Sequence, residues 1–163
     1  IHSALAQPVV SVHRDFDAMN LMCQAQQLTM IDFQDAVAGP LSYDLISLLR
    51  GRYCRFSASQ FAELVSLFYQ QARQEGRLLR TTSEADFLVQ CHAMAAQRSL
   101  KVLGIFCRLT LRDAKQGYLA RLPHFLDHLE DSLAALPEHR TFAEWASSVL
   151  RPAIIQRLAE QSA

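Results

Sequence analysis

The apolar residues of this 163-residue chain change their spacing at Gly39-Pro40, and that switch narrows the folds open to it. Ahead of the dipeptide they occur only in short runs: Val9–Val12, then residues 21–23 and 28–31. Runs of three or four apolar residues suit strands, and the polar link at residues 24–27 predicts a small hairpin. Residues 1–7 read as the tail of a helix that Pro8 stops. Gly39-Pro40 itself reads as a turn, and everything after it reads as helix. A first helix is expected over residues 42–50. Ser57 and Gln60 form a capping box, because each side chain can satisfy the other's backbone N–H. Behind it Phe61, Leu64, Val65, Phe68 and Ala72 share one helical face, and Gly76 stops the run. Ser83 opens a long helix carrying Phe87, Leu88, Cys91, Met94, Ala95, Val102, Phe106 and Leu109, in which Gly104 marks a bend or a close helix contact. Pro123 stands near the start of another helix, with Phe125, Leu126, Leu129, Leu133 and Leu136 inward. Thr141 and Glu144 read as a second capping box, opening a helix that Pro152 should kink or divide. The expected fold is mainly α with a short β-hairpin: residues 8–36 form the hairpin and its loop, residues 42–163 a helical body.

Half of the residues are apolar, enough for one compact domain with a sizeable core. Sixteen Lys and Arg balance sixteen Asp and Glu, which leaves no basic footprint for nucleic acid and no acidic tail. No apolar run approaches a membrane span and no signal-peptide pattern opens the chain, so a membrane is not an expected partner. Cys23, Cys54, Cys91 and Cys107 form no CxxC and are expected to be buried, reduced thiols of a cytoplasmic protein rather than zinc ligands or disulfides. His124 and His128 lie i,i+4 with Asp127 alongside; a solvated helix face and a two-histidine metal site both fit that spacing. Trp145 is a packing anchor or part of a cleft wall.

The chemistry is carried by His13-Arg14-Asp15, then Asn20, then Ile31-Asp32-Phe33. Phosphoryl transfer asks little covalent help of a protein; it needs alignment and neutralised charge. One carboxylate must accept a hydrogen bond from the attacking hydroxyl and take its proton late. An amide oxygen and a further carboxylate must hold Mg²⁺, which prefers hard oxygen ligands and keeps several waters. Asp15 supplies the base and Asn20 and Asp32 the ligands, at the spacing of the protein-kinase catalytic loop and its metal-binding Asp. A chance HRD-x4-N is expected in on the order of one in a few thousand chains of this length. The rival is a solvated polar loop between two strands.

These residues, with Phe16, Leu21-Met22 and the run DFQDAVAGPLSYDLISLLR, resemble the aminoglycoside-phosphotransferase-like kinase superfamily. More narrowly, they resemble the bacterial N-acetylmuramate/N-acetylglucosamine anomeric kinases of cell-wall recycling. Residues 97–106, Arg112-Asp113 and Tyr118-Leu119 resemble the same group. The resemblance implies the C-terminal lobe of a protein-kinase-like fold, with ATP and Mg²⁺ as cofactors and a sugar or amino sugar as substrate. It implies Asp15 as base within the catalytic triplet that His13 and Arg14 complete, His13 orienting the loop through backbone hydrogen bonds. Asn20 and Asp32 are implied as the Mg²⁺ ligands that bind the nucleotide. Asp35 has no counterpart in a DFG motif; a metal contact, a bond to sugar hydroxyls and a cap on the next turn are all open to it. Asp44 resembles an acid that braces the catalytic loop, and it equally suits the first turn of a helix.

Four positions depart from that group: Asp17 stands where His is common, Met19 where Arg is, Gly51 where Asp is, and Ser99 where His is frequent. None is a proposed base or metal ligand. A working kinase also needs a glycine-rich cover over the phosphates and a strand lysine. The five glycines are too dispersed for such a cover, and Lys101 and Lys115 both come after the catalytic loop. The chain opens at Ile1 with twelve residues ahead of His13, so it is expected to be a fragment that lacks the nucleotide-clamping lobe and is inactive alone. The rivals are an aminoglycoside or other small-alcohol kinase, a catalytically silent kinase-like binding module, and a helical interaction domain.

Overall fold

The computed structural model describes residues 2–162, the side chains of residues 161 and 162 excepted. The chain is mostly helical, with two small antiparallel sheets. A short helix α1 (His2–Leu5) leads into strand β1 (Val9–Val12), while Ile1, expected in the same helical tail, lies outside the described residues. A 3-10 turn (Ala18–Asn20) opens into β2 (Leu21–Gln24), which pairs with β3 (Gln27–Met30). The expected hairpin is present and tighter than its sequence reads. Its loop is Ala25-Gln26, at φ 48° and 65°, the two left-handed residues that match the twist of the flanking strands.

Gly39-Pro40 is not a plain turn. It ends a strand, β4 (Val37–Pro40), that pairs antiparallel with β1, Val9 opposite Pro40 and Val12 opposite Val37. Pro is tolerated there because a two-stranded ribbon consists only of edges. Gly39 is needed, since a Cβ at that position would lie 2.7 Å from Val12 Cγ2.

The remaining helices are α2 (Tyr43–Leu49), α3 (Ala58–Gln74), α4 (Glu84–Leu111), α5 (Leu122–Leu133), α6 (Arg140–Trp145) and α7 (Arg151–Ser162). They contribute to two compact units, Ile1–Met94 and Ala95–Ala163, whose boundary falls within α4. In the first unit Ile46 and Leu49 of α2, Phe61 and Val65 of α3, and Phe87 and Cys91 of α4 are buried. Phe68 stacks on Phe87 with ring centroids 5.9 Å apart, and the Arg50 guanidinium lies 4.3 Å from the centre of the Phe61 ring. In the second unit Leu103 is buried with Phe125, Leu126, Leu129, Leu133 and Leu136, and Phe106 meets Phe125 edge-on at 5.5 Å.

The α3 capping box forms as expected: Gln60 N–H donates to Ser57 Oγ at 3.2 Å and Ser57 N–H to Gln60 Oε1 at 3.0 Å. Gly76, at φ 68°, comes just past the helix end. At the start of α4, Asp86 N–H donates to Ser83 Oγ (3.1 Å), while Asp86 Oδ2 accepts from Ser83 N–H (3.2 Å) and the Ser83 hydroxyl (2.6 Å). The hydroxyl bond first, then the amide bond, holds the Asp86 carboxyl below its ordinary range.

The Thr141–Glu144 box does not form. A 3-10 turn, Pro137–His139, runs straight into α6, so Thr141 is already inside the helix and Glu144 pairs with Arg140 at 3.0 Å. Pro152 does divide the last helix. It lacks an N–H and its ring crowds the preceding turn, and the ladder widens to π-helix over Ala146–Leu150 before resuming in α7. Arg151 then ties α7 to α5 through Asp127 (2.6 Å) and Glu130 (2.8 Å). Gly104 is not a close contact, because a Cβ there would meet nothing within 4 Å.

The expectation of uniformly buried thiols fails for Cys23 and Cys54, which are exposed; Cys91 is buried, and all four cysteines are free. Desolvation pushes the Cys91 thiol well above its ordinary range. No helix among the described residues is long and apolar enough to cross a membrane.

Candidate active site

The candidate residues lie in the first unit, between β1 and the start of α2. His13, at the end of β1, is 4% exposed, so its backbone needs internal partners. Asp44, in the first turn of α2, provides them: Oδ2 accepts His13 N–H at 2.6 Å and Oδ1 accepts Arg14 N–H at 3.1 Å. Arg14 sits at φ 72°, a left-handed conformation that costs a residue with a Cβ about 1–2 kcal/mol. Two successive charge-assisted bonds to one carboxylate offset that strain. Asp44 therefore does brace the loop, from the helix turn that also favours an acid.

Asn20 is the hub that joins this loop to the hairpin beyond it. Its N–H donates to Asp17 O (2.9 Å), and its own carbonyl accepts Ile31 N–H (3.0 Å). Its side-chain Nδ2 donates to Asp15 O at 2.8 Å and lies 3.5 Å from Asp15 Oδ2. Ile31 is gripped from its other side as well, because His13 Nε2 donates to Ile31 O at 2.7 Å. The chain thus turns into Asp32 from a residue bonded to both arms of the loop. Asp32 stands at φ 64° with Oδ1 accepting from Gln34 Nε2 at 2.7 Å. Asp35 is exposed in the turn closed by Ala36 N–H on Phe33 O at 3.0 Å.

Of the five carboxylates here, two are committed internally: Asp44 to backbone amides and Asp17 to Arg52. Asp15, Asp32 and Asp35 are exposed. The donor set suits a hard cation. Asn20 spends its amide nitrogen on Asp15 while its amide oxygen accepts no hydrogen bond among the described residues, and Asp32 has one carboxylate oxygen in the same condition. No group of three or more His, Cys, Asp or Glu able to hold a metal occurs among the described residues, so further oxygens would have to come from water or a phosphate.

Sequence reasoning registered Asp17 only as a departure, and missed Arg52 and Gln34. Asp17 is 8% exposed and caps the 18–20 turn, with Oδ1 accepting Met19 N–H at 3.0 Å. An Asp at the head of a short polar turn is a recognisable cap signal. The solvated-face reading of the histidine pair also fails: His128 is wholly buried and its Nε2 lies 3.0 Å from His124 Nε2. Trp145 stacks on Phe142 at 5.6 Å.

Residues 1–79, which contain every element of this site, match the phosphotransferase enzyme family. Over that stretch the chain is similar to that family. It is also similar to curated relatives named N-acetylmuramate/N-acetylglucosamine kinase. Identity is 42% over 125 residues with that of Neisseria meningitidis serogroup B, 36% over 149 with that of Pseudomonas aeruginosa, and 38% over 138 with that of Pseudomonas putida. These alignments cover 77%, 91% and 85% of this chain but 37%, 44% and 40% of the relatives. The chain spans about two fifths of the length of the curated relatives it matches.

Proposed function

We propose that this chain is the C-terminal lobe of a kinase that moves the γ-phosphoryl group of ATP, with Mg²⁺, to a sugar hydroxyl. The acceptor is the anomeric hydroxyl of N-acetylmuramate or N-acetylglucosamine. The observation that carries the reading is the Asn20 hub, which bonds the Asp15 loop and the Ile31-Asp32 arm to a single residue. The names of the relatives support the acceptor.

In this reading Asp15 accepts a hydrogen bond from the attacking hydroxyl, orients its lone pair and receives its proton late in the transfer. The Asn20 amide keeps the Asp15 backbone from drifting, and His13 fixes the arm that bears Asp32. Asn20 and Asp32 would hold Mg²⁺, which neutralises phosphate charge when bound; Asp35 is proposed as an auxiliary contact to metal or sugar. Arg14 contributes the strained backbone that turns Asp15 out of β1. The glycine-rich cover and the strand lysine are proposed to come from sequence outside this chain, in a nucleotide-clamping lobe.

The test is a substrate panel with the full-length protein and its Asp15→Asn variant. Phosphorylation of the two amino sugars, lowered by roughly 10²- to 10⁴-fold in Asp15→Asn, is expected. Transfer to aminoglycosides alone would replace the proposed substrate. No ATP consumption with any acceptor would favour a silent binding module.

A further inference from the structure

Asp17 does more than cap a short turn. Its carboxylate has two partners, one on each oxygen: Met19 N–H on Oδ1 at 3.0 Å and Arg52 Nε–H on Oδ2 at 3.1 Å. Its backbone carbonyl accepts the N–H of Asn20 at 2.9 Å. One residue therefore closes the Ala18–Asn20 turn through both its side chain and its main chain. Met19 adds no packing that could substitute, being 70% exposed. Downstream, Asn20 passes that placement to Ile31 and so to the backbone entering Asp32. Arg52 comes after Gly51 at the end of α2 and lies over Tyr53, 5.6 Å from the ring centre, which limits where its guanidinium can go.

We infer that Asp17, held in place by Arg52, is a positioning residue that sets the divalent-cation affinity of the site by fixing the Asn20 amide. The inference rests on the reading of Asn20 as a metal ligand. The two contacts of Asp17 differ in weight. The cap bond belongs to a buried carboxylate, whereas the Arg52 side chain is 40% exposed, so solvent screens the ion pair and its loss matters less. Groups behind a ligand commonly govern metal affinity, since they decide whether its oxygen is presented or must be recruited.

The test uses the full-length protein and Mn²⁺, an oxygen-seeking stand-in for Mg²⁺, titrated by electron paramagnetic resonance with a non-hydrolysable ATP analogue present. Asp17→Ala, which removes both contacts, is expected to weaken Mn²⁺ binding roughly 10-fold. Asp17→Asn keeps the cap acceptor and loses the charge, and Arg52→Ala keeps the cap and loses the partner; each is expected to weaken binding roughly threefold. Asn20→Ala serves as the reference. Should Asn20→Ala weaken Mn²⁺ binding while Asp17→Ala lowers only the melting temperature, the positioning role is overturned and the active-site reading stands. Should Asn20→Ala leave Mn²⁺ binding unchanged, both fall. If Asp17→Ala does not fold, wild-type affinity in Asp17→Asn and Arg52→Ala together overturns the inference.

Discussion

Asp44 shows how a single carboxylate can hold a strained residue in place. By accepting the amides of His13 and Arg14 it stabilises a backbone that Arg14 would not adopt unaided. Asp44→Ala is expected to lower unfolding stability in urea by about 3 kcal/mol, the loss of two bonds to a charged acceptor. Adding Arg14→Gly should return about 1 kcal/mol, because glycine adopts the left-handed conformation freely. Asp86 invites a pH experiment. Its carboxyl is held below its ordinary 3.8, so its contribution to stability is full above that pH and fades as pH falls through the folded value. Ser83→Ala should therefore lower the urea midpoint at pH 7 by more than it does in acid, where only the bond from Asp86 N–H to the hydroxyl remains to be lost. At this scale the approach of Asn20 to Asp15 was readable, because the two stand five residues apart on one polar loop. The grip on Ile31 was not, since a backbone carbonyl bonded by His13 leaves no mark on which side chain it carries. Nor was the Asp17–Arg52 pair, whose members stand 35 positions apart on a polar loop and beyond a helix.

At the scale of elements, the helices were legible where one face repeats cleanly: α5 buries Phe125, Leu126, Leu129 and Leu133, and α3 buries Phe61, Val65 and Ala72 while leaving Leu64 and Phe68 half-buried. The errors came from residues with two uses. Gly-Pro usually marks a turn, yet in β4 the glycine is chosen to clear Val12 and the proline occupies an edge. Thr-x-x-Glu usually marks a helix start, yet a preceding 3-10 turn had already begun the helix. Ser99 in α4 carries another consequence. It is 1% exposed, and its hydroxyl has no hydrogen-bond partner among the described residues. A buried orphan hydroxyl costs free energy that an alanine does not, so Ser99→Ala is expected to raise stability by about 1 kcal/mol in urea unfolding. Thermal or urea melts that show destabilisation instead would mean the hydroxyl is satisfied in the full-length protein.

For the whole molecule, the composition of the chain predicts a division of labour. Five scattered glycines and two late lysines do not provide a phosphate cover, whereas the base and cation ligands are proposed to lie within residues 15–32. Residues 1–163 alone are therefore expected to bind ATP at least about 100-fold more weakly than the full-length protein and to show no measurable turnover, by calorimetry and a coupled assay. Tight binding by the isolated segment would mean that it clamps nucleotide by itself. The class of fold was readable at this scale because periodicity persists over long helices. The division into two units inside α4 was not, since the helix runs unbroken through the boundary.

The ladder between β1 and β4 has a further consequence for how such a site can change over generations. Four residue pairs, from Val9–Pro40 to Val12–Val37, form a neck, and every proposed catalytic group lies on the loop above it. Slippage of the neck by one residue would turn Val12 outward and carry His13 away from Asp44, so the whole site would fail at once. The hairpin tip at Ala25-Gln26 is exposed and away from those bonds, and it should accept insertions of several residues. New recognition segments can therefore be added at the tip of this loop while its base stays closed to change.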